Sequence, residues 1–404
     1  MSGPTLSRLD LVINIRFPSA RANGLQVAAM AESLSATGLN VAVVVPRRFR
    51  QDDTDPFAFY GVRPTFQVER IASFDTIDIV PARWQRVPFL VQSASFAWRV
   101  LARAGVARDT GFLVRDHYTL DILVSGLRER DLGRVACEVH NLPQRPSRRR
   151  WLMDSLRKLP AVITISDALR DDLLAEGLDP DRVMVARDGV FLKRFAGLPG
   201  ARVARRELKL DPQRPLVVYA GQLFAWKGVD TLVAAMGAVP DAQLMVVGGG
   251  HRELPRLRAL AAEHCAGRVT FAGQVPSTDV PFHLAAADVI ALPNTGTLPI
   301  SARYTSPLKL FEAMASQRPI VASDLPSLGE VLTHDRNAHL VTPDDPAALA
   351  AGIRALLDDP ARAARLAGQA RDDVEPYDWS ARGRLVARFL RDRLQVGRSL
   401  GIAS

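Results

Sequence analysis

The chain contains very little cysteine and no long apolar run. Only Cys137 and Cys265 occur among its 404 residues, which excludes a disulfide framework and a cysteine-based zinc site. No run of about 18 apolar residues is present, so no transmembrane helix is predicted. The first residues, MSGPTLSRLDLVINI, lack the basic and then apolar pattern of a secretory signal. These absences predict a cytoplasmic protein.

Acidic residues are also in deficit. The chain has 52 Lys and Arg against 43 Asp and Glu, which gives a net charge of +9. A basic protein favours anionic partners, and nucleic acid, anionic lipid and phosphorylated metabolites all fit this charge. The length is too great for one hydrophobic core, so two domains are expected.

Short runs of Val, Ile and Leu alternate with amphipathic stretches along the whole chain. This alternation is typical of βα units and predicts an α/β protein with two Rossmann-like parallel-sheet domains. The predicted strands are residues 9–15, 40–46, 111–116, 134–140, 161–166 and 183–189, and then 215–221, 242–248, 268–273, 288–293, 319–323 and 338–343.

The predicted domain boundaries follow from composition. Residues 1–195 form the expected first domain, on the acceptor side, and residues 215–376 form the second. Between them, residues 196–214 are rich in Pro, Gly and charge and are predicted to be a linker. Residues 377–404 contain a long amphipathic helix with no strand after it, and we expect this helix to pack back on the first domain.

Glycine follows successive strands of the predicted second domain. Gly221 follows the first strand, Gly248 and Gly249 follow the second, and the sequence GQVP (273–276) follows the third. In open α/β sheets, ligands bind beyond the carboxyl ends of the strands. Because Lys227 lies in the first of these loops, the pattern indicates a phosphate-bearing ligand.

The stretch YTSPLKLFEAMA (304–315) predicts the start of a helix, with Ser306 as its cap and Pro307 in the first turn. A helix N-terminus attracts phosphate, and Lys309 adds a full positive charge there. Glu312 lies one turn later on the same face, about 5 Å along the axis. This spacing suits the diphosphate and ribose of a nucleotide. An ordinary surface ion pair between Lys309 and Glu312 is the alternative.

Several segments together resemble the second domain of the family 4 retaining glycosyltransferases: YAGQLFAWKGVDTL, VGGG, VTFAGQVP, SPLKLFEAMA and YDWSARGRLV. The resemblance is good over residues 183–395. It implies the GT-B arrangement, in which two Rossmann-like domains face each other across a cleft. It also implies a UDP- or GDP-linked sugar as donor. No cofactor is expected, and no metal site is evident in the sequence.

The resemblance assigns roles to the motif residues. Lys227 and Lys309 would bind the donor diphosphate and assist the reaction, together with the glycine loops and the backbone of Ser306, Pro307 and Leu308. Glu312 would bind the ribose, and the backbone at 273–275, which includes Val275, would face the base. Two positions depart from the family pattern: Tyr304 stands where the family has a glutamate near the donor sugar, and Gln222 where it has an arginine.

Candidates in the first domain follow its strands. Gly24 opens the helix after the first strand, and the resemblance places that loop opposite the donor; a plain β-to-α turn is the alternative. His140 ends the strand 134–140, where the family places a histidine close to the reacting sugar. A bond from His140 to a neighbouring carbonyl is the alternative. Asp116 and His117 are second candidates.

The acceptor side is suggested by a basic, aromatic segment. Residues 81–105 contain arginine and tryptophan but no acidic residue, and such a helix can lie on an anionic membrane and reach a lipid-linked acceptor. The segment RPSRRRW (145–151) could contact the same anionic partner. The alternative for 81–105 is a core helix with a buried stripe and outward arginines; that stripe is Leu90, Ala94, Ala97 and Leu101.

The leading hypothesis is a glycosyltransferase that uses a nucleotide-sugar donor and a glycan or lipid-linked acceptor, in cell-surface polysaccharide or glycolipid synthesis. The alternatives are a nucleotide-sugar epimerase of the same fold, a basic protein that binds nucleic acid or an anionic surface, and a catalytically idle partner protein. No nucleic-acid module is recognisable, so no such partner is expected. An Asp-x-Asp pattern in DDTD (52–55) is interpreted as a solvated turn rather than a metal site.

Overall fold

A computed structural model describes residues 6–49, 53–249, 252–304 and 306–396. The chain divides into two compact units, one formed by Met1–Arg187 with Trp379–Ser404 and the other by Asp188–Asp378. Each unit contains one sheet in which every strand pairing is parallel. The predicted α/β fold with two parallel sheets is confirmed.

The two sheets contain seven and six strands, in the orders β3-β2-β1-β4-β5-β6-β7 and β10-β9-β8-β11-β12-β13. The strands are β1 (Arg8–Val12), β2 (Asn40–Pro46), β3 (Gln67–Ile71), β4 (Thr110–Val114), β5 (Val135–Val139), β6 (Ala161–Thr164), β7 (Val183–Val185), β8 (Leu216–Ala220), β9 (Gln243–Val247), β10 (Val269–Gly273), β11 (Val289–Leu292), β12 (Ile320–Ser323) and β13 (His339–Val341).

Helices connect the strands and cover the sheets. They are α1 (Ala22–Ser35), α2 (Pro56–Tyr60), α3 (Arg86–Val106), α4 (His117–Gly126), α5 (Glu129–Leu132), α6 (Pro146–Leu156), α7 (Asp167–Ala175), α8 (Ala201–Glu207), α9 (Val229–Ala235), α10 (Leu254–His264), α11 (Val280–Ala285), α12 (Leu308–Ala315), α13 (Pro326–Gly329), α14 (Pro346–Leu357), α15 (Pro360–Asp373) and α16 (Trp379–Arg393). None of these described helices combines the length and the apolar character needed to cross a lipid bilayer.

The sequence did not predict β3, the edge strand of the first sheet. Its residues, QVERI, are half-exposed and mostly polar, so the strand lacks the apolar run by which the buried strands were found. Arg103 of α3 holds this edge, because its guanidinium donates to Glu69 on β3 at 2.6 and 2.9 Å. The same guanidinium donates to the buried Asp10 on β1 at 2.6 Å.

The buried face of α3 differs from the predicted stripe. Ala97 is buried, but Leu90 is 37% exposed, while Phe96 and Val100 are fully buried. Leu101 packs on α4, where its Cδ2 would lie 2.3 Å from a Cβ at Gly126. The stripe is therefore rotated around the helix axis, because packing against α4 rather than hydrophobicity alone sets which face is covered.

Helix α16 belongs to the first unit and packs on α1. A Cβ at Gly383 would lie 2.6 Å from Cβ of Ser33, so the two helices approach closely there. Arg391 also donates to the carbonyl oxygen of Thr37 at 2.8 Å. The last helix of the chain is thus built into the unit formed by its first half.

Residues 196–214 are the segment that the composition predicted to be a linker. They lie within the second unit and contain α8. Arg205 on α8 is buried, and it donates to the carbonyl oxygens of Ala286 at 2.8 Å and Arg214 at 3.2 Å. These hydrogen bonds of Arg205 attach α8 to the rest of the second unit.

Candidate functional site

Three loops meet at the carboxyl edge of the second sheet. The N–H of Gly221, after β8, donates to the carbonyl oxygen of Val247 at 2.9 Å, and the N–H of Gly248, after β9, donates to Gly273 at 2.6 Å. Gly248 has φ +109°, and a Cβ there would lie 2.3 Å from the carbonyl oxygen of Gly221. Only glycine permits this approach. Gly249 follows with φ +91°.

Lys309 is buried beside these loops, in the first turn of α12. It is 8% exposed, and its Nζ lies 4.7 Å from the centroid of the Tyr219 ring. Within the described residues, this Nζ has no hydrogen-bond partner. Burial lowers the pKa of Lys309 well below its usual range, and the charge of Lys227 lowers it further. A buried ammonium of this kind is costly unless an anion compensates it.

The start of α12 differs from the prediction, in which Ser306 was the cap. The helix begins at Leu308 and Pro307 occupies the cap position, with no side-chain cap bond. Ser306 is buried and its Oγ accepts from the N–H of Asp188 at 3.1 Å. The expectation failed because a buried backbone donor outside the helix uses the serine hydroxyl. Consequently, no side-chain cap competes for the first N–H groups of α12.

Lys227 ends a short 3-10 turn, Ala225–Lys227, in the loop after β8. Its Nζ lies 3.8 Å from the ring centroid of Trp226, and burial lowers the pKa of Lys227 to about 8. The Trp226 carbonyl oxygen accepts from the N–H of Thr295 at 3.2 Å and from Ser301 Oγ at 3.3 Å. The segment after β11 therefore holds the turn in place.

Glu312 lies one helical turn after Lys309 on α12 and is half-buried. Burial raises the pKa of its carboxyl to about 7, and the positive charge of Arg194 opposes this rise. Because Lys309 Nζ makes no hydrogen bond in the part of the chain that is described, the alternative of a surface ion pair between these two residues is not what the structure has.

The remaining predicted residues of this unit lie around the same edge. Tyr304 is half-buried at the end of a π-helical turn, Ile300–Tyr304, and the Arg303 guanidinium lies 5.7 Å from its ring centroid. Val275 is half-buried against the core, and the carbonyl oxygen of Gln222 accepts from Tyr219 Oη at 2.6 Å. Gly250 and Thr305, which belong to the quoted motifs, lie outside the described residues.

Asn294 was not predicted and is a buried polar residue at this edge. It lies two residues after the end of β11, directly after Pro293, and its side chain is fully buried. Neither its amide nitrogen nor its amide oxygen has a hydrogen-bond partner among the described residues. Its backbone nitrogen would lie 3.5 Å from a Cβ at Gly228, next to Lys227. A polar residue just after a buried strand was the signal that could have found it.

In the first unit, His140 follows β5 and contacts two charged side chains. Its Nε2 lies 2.7 Å from Oε1 of Glu138, and it lies 3.2 Å from Nε and 2.6 Å from Nη2 of Arg115. Burial lowers the pKa of His140 to about 4, with a further lowering by Arg115 and an opposing effect of Glu138. The alternative, a bond to a neighbouring carbonyl, is not what holds this histidine.

Glu138 is the centre of this cluster. Arg115 Nη2 lies 3.1 Å from its Oε1, and Nη2 of Arg382, on α16, lies 3.3 Å from its Oε2. Burial alone would raise the pKa of Glu138, but the two guanidinium groups hold it well below its usual range. A carboxylate inside the apolar strand RVACEVH was the available signal. The partner Arg382 could not be found from local sequence.

Gly24 lies in the first turn of α1, where Tyr60 explains the need for glycine. A Cβ at position 24 would lie 2.1 Å from Tyr60 Oη, which donates to the Ser19 carbonyl oxygen at 3.0 Å. The predicted contact of Gly24 with a donor stays a prediction. Asp116 caps α4 by accepting from the N–H of Thr119 at 2.9 Å.

His117 begins α4, and burial lowers its pKa, with a smaller effect of Arg148. The guanidinium of Arg148, from the segment 145–151, lies 4.5 Å from the ring centroid of Tyr118. Trp151, which lies with Arg148 on α6, is exposed.

The segment 81–105 presents large apolar and basic side chains to solvent. We call the exposed basic and large apolar side chains of this segment the α3 surface: Arg83, Trp84, Arg86, Val87, Phe89, Leu90, Val91, Trp98 and Arg99. Trp98 alone is 63% exposed. An exposed apolar patch next to arginines is typical of an interaction surface.

The described residues contain no group of three or more His, Cys, Asp or Glu side chains that could hold a metal ion. In the DDTD pattern, Asp55 caps α2 by accepting from the N–H groups of Phe57 and Ala58. Asp52 lies outside the described residues.

Both halves of the chain match known families. Residues 24–194 match the family described as Glycosyltransferase Family 4, and residues 214–359 match Glycosyl transferases group 1. The chain is 35% identical over 236 residues to D-inositol 3-phosphate glycosyltransferase of Xylanimonas cellulosilytica, covering 54% of this chain and 55% of the relative. It is 30% identical over 294 residues to phosphatidyl-myo-inositol mannosyltransferase of Mycobacterium leprae, covering 71% and 67%.

The fold also has solved counterparts. Sucrose-phosphate synthase from Thermosynechococcus elongatus superimposes with a TM-score of 0.78 at 23% identity, over 96% of this chain and 98% of that chain. At this identity the likeness supports the fold alone, a GT-B-like two-domain fold. The sequence relatives decide the family: the chain belongs to the family 4, group 1 glycosyltransferases.

Proposed function

We propose that this chain transfers a sugar from a nucleotide-sugar donor to an acceptor hydroxyl, with retention of the anomeric configuration. The observation that carries the proposal is the buried ammonium of Lys309, which lies in the first turn of α12 without a hydrogen-bond partner among the described residues. An anionic diphosphate would compensate this charge and accept from the uncapped N–H groups of the helix.

In the proposed complex, the diphosphate lies between Lys309 and Lys227, against the loops of Gly221, Gly248 and Gly249. The backbone of residues 306–308, the start of α12, contributes N–H groups. Glu312 accepts from the ribose hydroxyls, and the backbone at Val275 faces the base. Tyr304 and the unpartnered amide of Asn294 are proposed to lie near the transferred sugar.

The proposed chemistry places growing negative charge on the leaving group. The bond between the anomeric carbon and the phosphate oxygen breaks, and a bond from the acceptor oxygen to that carbon forms. The acceptor proton passes to the departing diphosphate. Lys227, Lys309 and the N-terminus of α12 would stabilise the leaving diphosphate in the transition state. His140 is also proposed to contact the substrate.

The proposed acceptor is a phosphate-bearing or lipid-linked molecule. Two relatives are named for D-inositol 3-phosphate and phosphatidyl-myo-inositol, but the alignments span only 55% and 67% of their lengths, so the acceptor is taken as a class and not as a compound. The α3 surface supports a lipid-linked acceptor, because its arginines and tryptophans suit an anionic membrane interface.

A thermal-shift panel of UDP, GDP, ADP and their sugar conjugates tests the donor site. Ligand at 100 times its Kd should add about 2.7 kcal/mol to the free energy of unfolding. One nucleotide should stabilise the wild type and the control Glu263→Ala, an exposed position on α10, but not Glu312→Ala. Stabilisation by no nucleotide would remove the donor proposal.

Product analysis with a labelled donor separates the activities. A transferase leaves free nucleoside diphosphate and places the labelled sugar on the acceptor, whereas an epimerase returns an isomerised donor in the absence of acceptor. Isomerised donor as the only product would replace the transferase proposal with the epimerase.

A further inference from the structure

One ring atom of His140 faces two groups with opposite requirements. Arg115 approaches Nε2 with its Nε at 3.2 Å and its Nη2 at 2.6 Å, and a guanidinium can only donate. Glu138 approaches the same Nε2 with its Oε1 at 2.7 Å, and an ionised carboxylate can only accept. Nε2 therefore cannot satisfy both neighbours, and its protonation decides which contact is a hydrogen bond.

The charges around His140 favour its neutral form. Arg115 after β4 and Arg382 on α16 are positive, and Glu138 on β5 is negative, so the cluster already holds one excess positive charge. A proton on the ring would add another in a buried place. The lowering of the pKa of His140 to about 4 agrees with this count.

The contacts that Glu138 and Arg115 make besides His140 distinguish the two neutral tautomers. Glu138 keeps two ion pairs in either tautomer, because Arg115 Nη2 lies 3.1 Å from Oε1 and Arg382 Nη2 lies 3.3 Å from Oε2, although Oε2 has no hydrogen-bond partner among the described residues. Arg115 Nη2 also faces Gln26 Oε1 at 3.5 Å, but the Nε–H of Arg115 has only Nε2 of His140 as acceptor among the described residues. A proton on Nε2 would place a donor against the two donors of a cationic guanidinium, whereas an unprotonated Nε2 removes one hydrogen bond from Glu138 and leaves both of its ion pairs.

We infer that Arg115 is a positioning residue that holds His140 as the neutral tautomer, with Nε2 unprotonated and the proton on Nδ1. Nδ1–H, which neither Arg115 nor Glu138 contacts, is then a fixed hydrogen-bond donor. On the proposed function, His140 donates to a substrate oxygen and does not take the acceptor proton. This role rests on the proposed function, whereas the tautomer does not.

NMR of the full-length protein with ¹⁵N-labelled histidine tests the tautomer without any substrate. The chain has 7 histidines, and the signals lost in His140→Asn assign the ring. The wild type should show an unprotonated Nε2, a protonated Nδ1 and no titration between pH 5 and 8. A protonated Nε2, or titration near the ordinary pKa of about 6.5, would overturn the inference.

Two variants separate the influence of the neighbours. Arg115→Met leaves Glu138 as the only group on Nε2, so the proton should move to Nε2 and the pKa should rise by at least about one unit. Glu138→Gln leaves Arg115 in place, so Nε2 should stay unprotonated. A tautomer that is unchanged in Arg115→Met contradicts the assigned role of Arg115. The wild-type spectrum decides the tautomer even if a variant fails to fold.

Kinetics then distinguish the inference from the proposed function. Arg115→Met should lower kcat and introduce a pH dependence between 5 and 8, while the nucleotide-induced thermal shift, which depends on Lys309 and Glu312, stays unchanged. Arg115→Lys, which restores one donor, should recover part of kcat. A wild type with the expected tautomer but no transfer activity and no nucleotide shift would remove the proposed function and leave the tautomer standing.

Discussion

Lys309 and Glu312 lie one helical turn apart on α12, and burial drives both toward their uncharged forms. The pKa of Lys309 falls well below its usual range, and the pKa of Glu312 rises to about 7. Opposite charges at this spacing commonly stabilise a helix, yet Lys309 Nζ has no hydrogen-bond partner within the described residues. The helix keeps two poorly solvated groups at the cost of stability, which is typical of a binding site.

Replacement of Lys309 by methionine is expected to stabilise the protein without ligand and to abolish the nucleotide-induced thermal shift. The variant replaces a buried amino group that has no hydrogen-bond partner among the described residues by an apolar side chain of similar volume, a gain of about 1–3 kcal/mol in the free energy of unfolding at pH 7. Thermal unfolding with and without the stabilising nucleotide measures both effects.

Lys209→Met is the matched control for that change. Lys209 belongs to the same unit and is exposed, so its replacement should leave the melting temperature and the nucleotide shift nearly unchanged. A Lys309→Met variant that is less stable than the wild type would show that the ammonium has a stabilising partner.

The affinity for a nucleotide sugar is expected to fall below pH 7. The ionised Glu312 accepts from ribose hydroxyls, and its pKa is raised to about 7 by burial, so protonation removes the acceptor as the pH falls. Affinity should also fall above pH 8, because Lys227, with its pKa lowered to about 8, loses its charge. Calorimetric titration from pH 5.5 to 9 measures this profile.

Glu312→Gln should bind more weakly at pH 8 and lose the decline below pH 7. In the ligand-free protein, ionisation of Glu312 lowers the stability of the fold, whereas in the complex it supports binding. A carboxyl whose folded pKa lies above its unfolded value destabilises the fold as the pH rises through that interval, so the variant should gain stability relative to the wild type above pH 7. A nucleotide sugar serves better than a free nucleotide, whose terminal phosphate itself titrates near pH 6. If the affinity of Glu312→Gln still declines below pH 7, another group is responsible for that decline.

Alanine at Gly248 is expected to cost about 3 kcal/mol or more and to remove nucleotide binding. The new Cβ would lie 2.3 Å from the carbonyl oxygen of Gly221, at a φ of +109°, so the two loops must separate. Gly267→Ala controls for the backbone conformation, because φ there is +72° and no atom lies within 4 Å of the new Cβ. It should cost only about 1–2 kcal/mol. Equal losses in denaturant titrations would mean that the loop contact has no special importance.

Trp98→Glu is expected to reduce binding to vesicles that contain anionic lipid by about tenfold or more. The variant removes an exposed tryptophan, worth about 1.5–3 kcal/mol when buried in an apolar environment, and places a negative charge on the α3 surface. Val203→Glu, on an exposed position of the second unit, should bind like the wild type. Sedimentation with vesicles measures the effect, and a wild type that stays in solution would remove the membrane from the proposal.

The sequence by itself determined much of the candidate donor site because its signals are local. The glycines that follow β8 and β9, and the spacing of Lys309 and Glu312, are contained within short segments. The apolar runs of the buried strands likewise predict a parallel sheet, since both faces of such a sheet are covered. Strand β3 escaped prediction because it is half-exposed and mostly polar, and its contact between Glu69 and Arg103 on α3 is not visible in local sequence.

The tertiary structure decided which distant residues meet. It places Arg382, from the last helix, beside Glu138 on β5, and it leaves the amide of Asn294 buried without a partner in the described part of the chain. It also shows that the Ser306 hydroxyl accepts from the N–H of Asp188 and does not cap the helix that follows. Residue type and spacing set which local structure forms. The burial of a charge and the partner it finds depend on how whole faces pack, and local sequence does not contain that information.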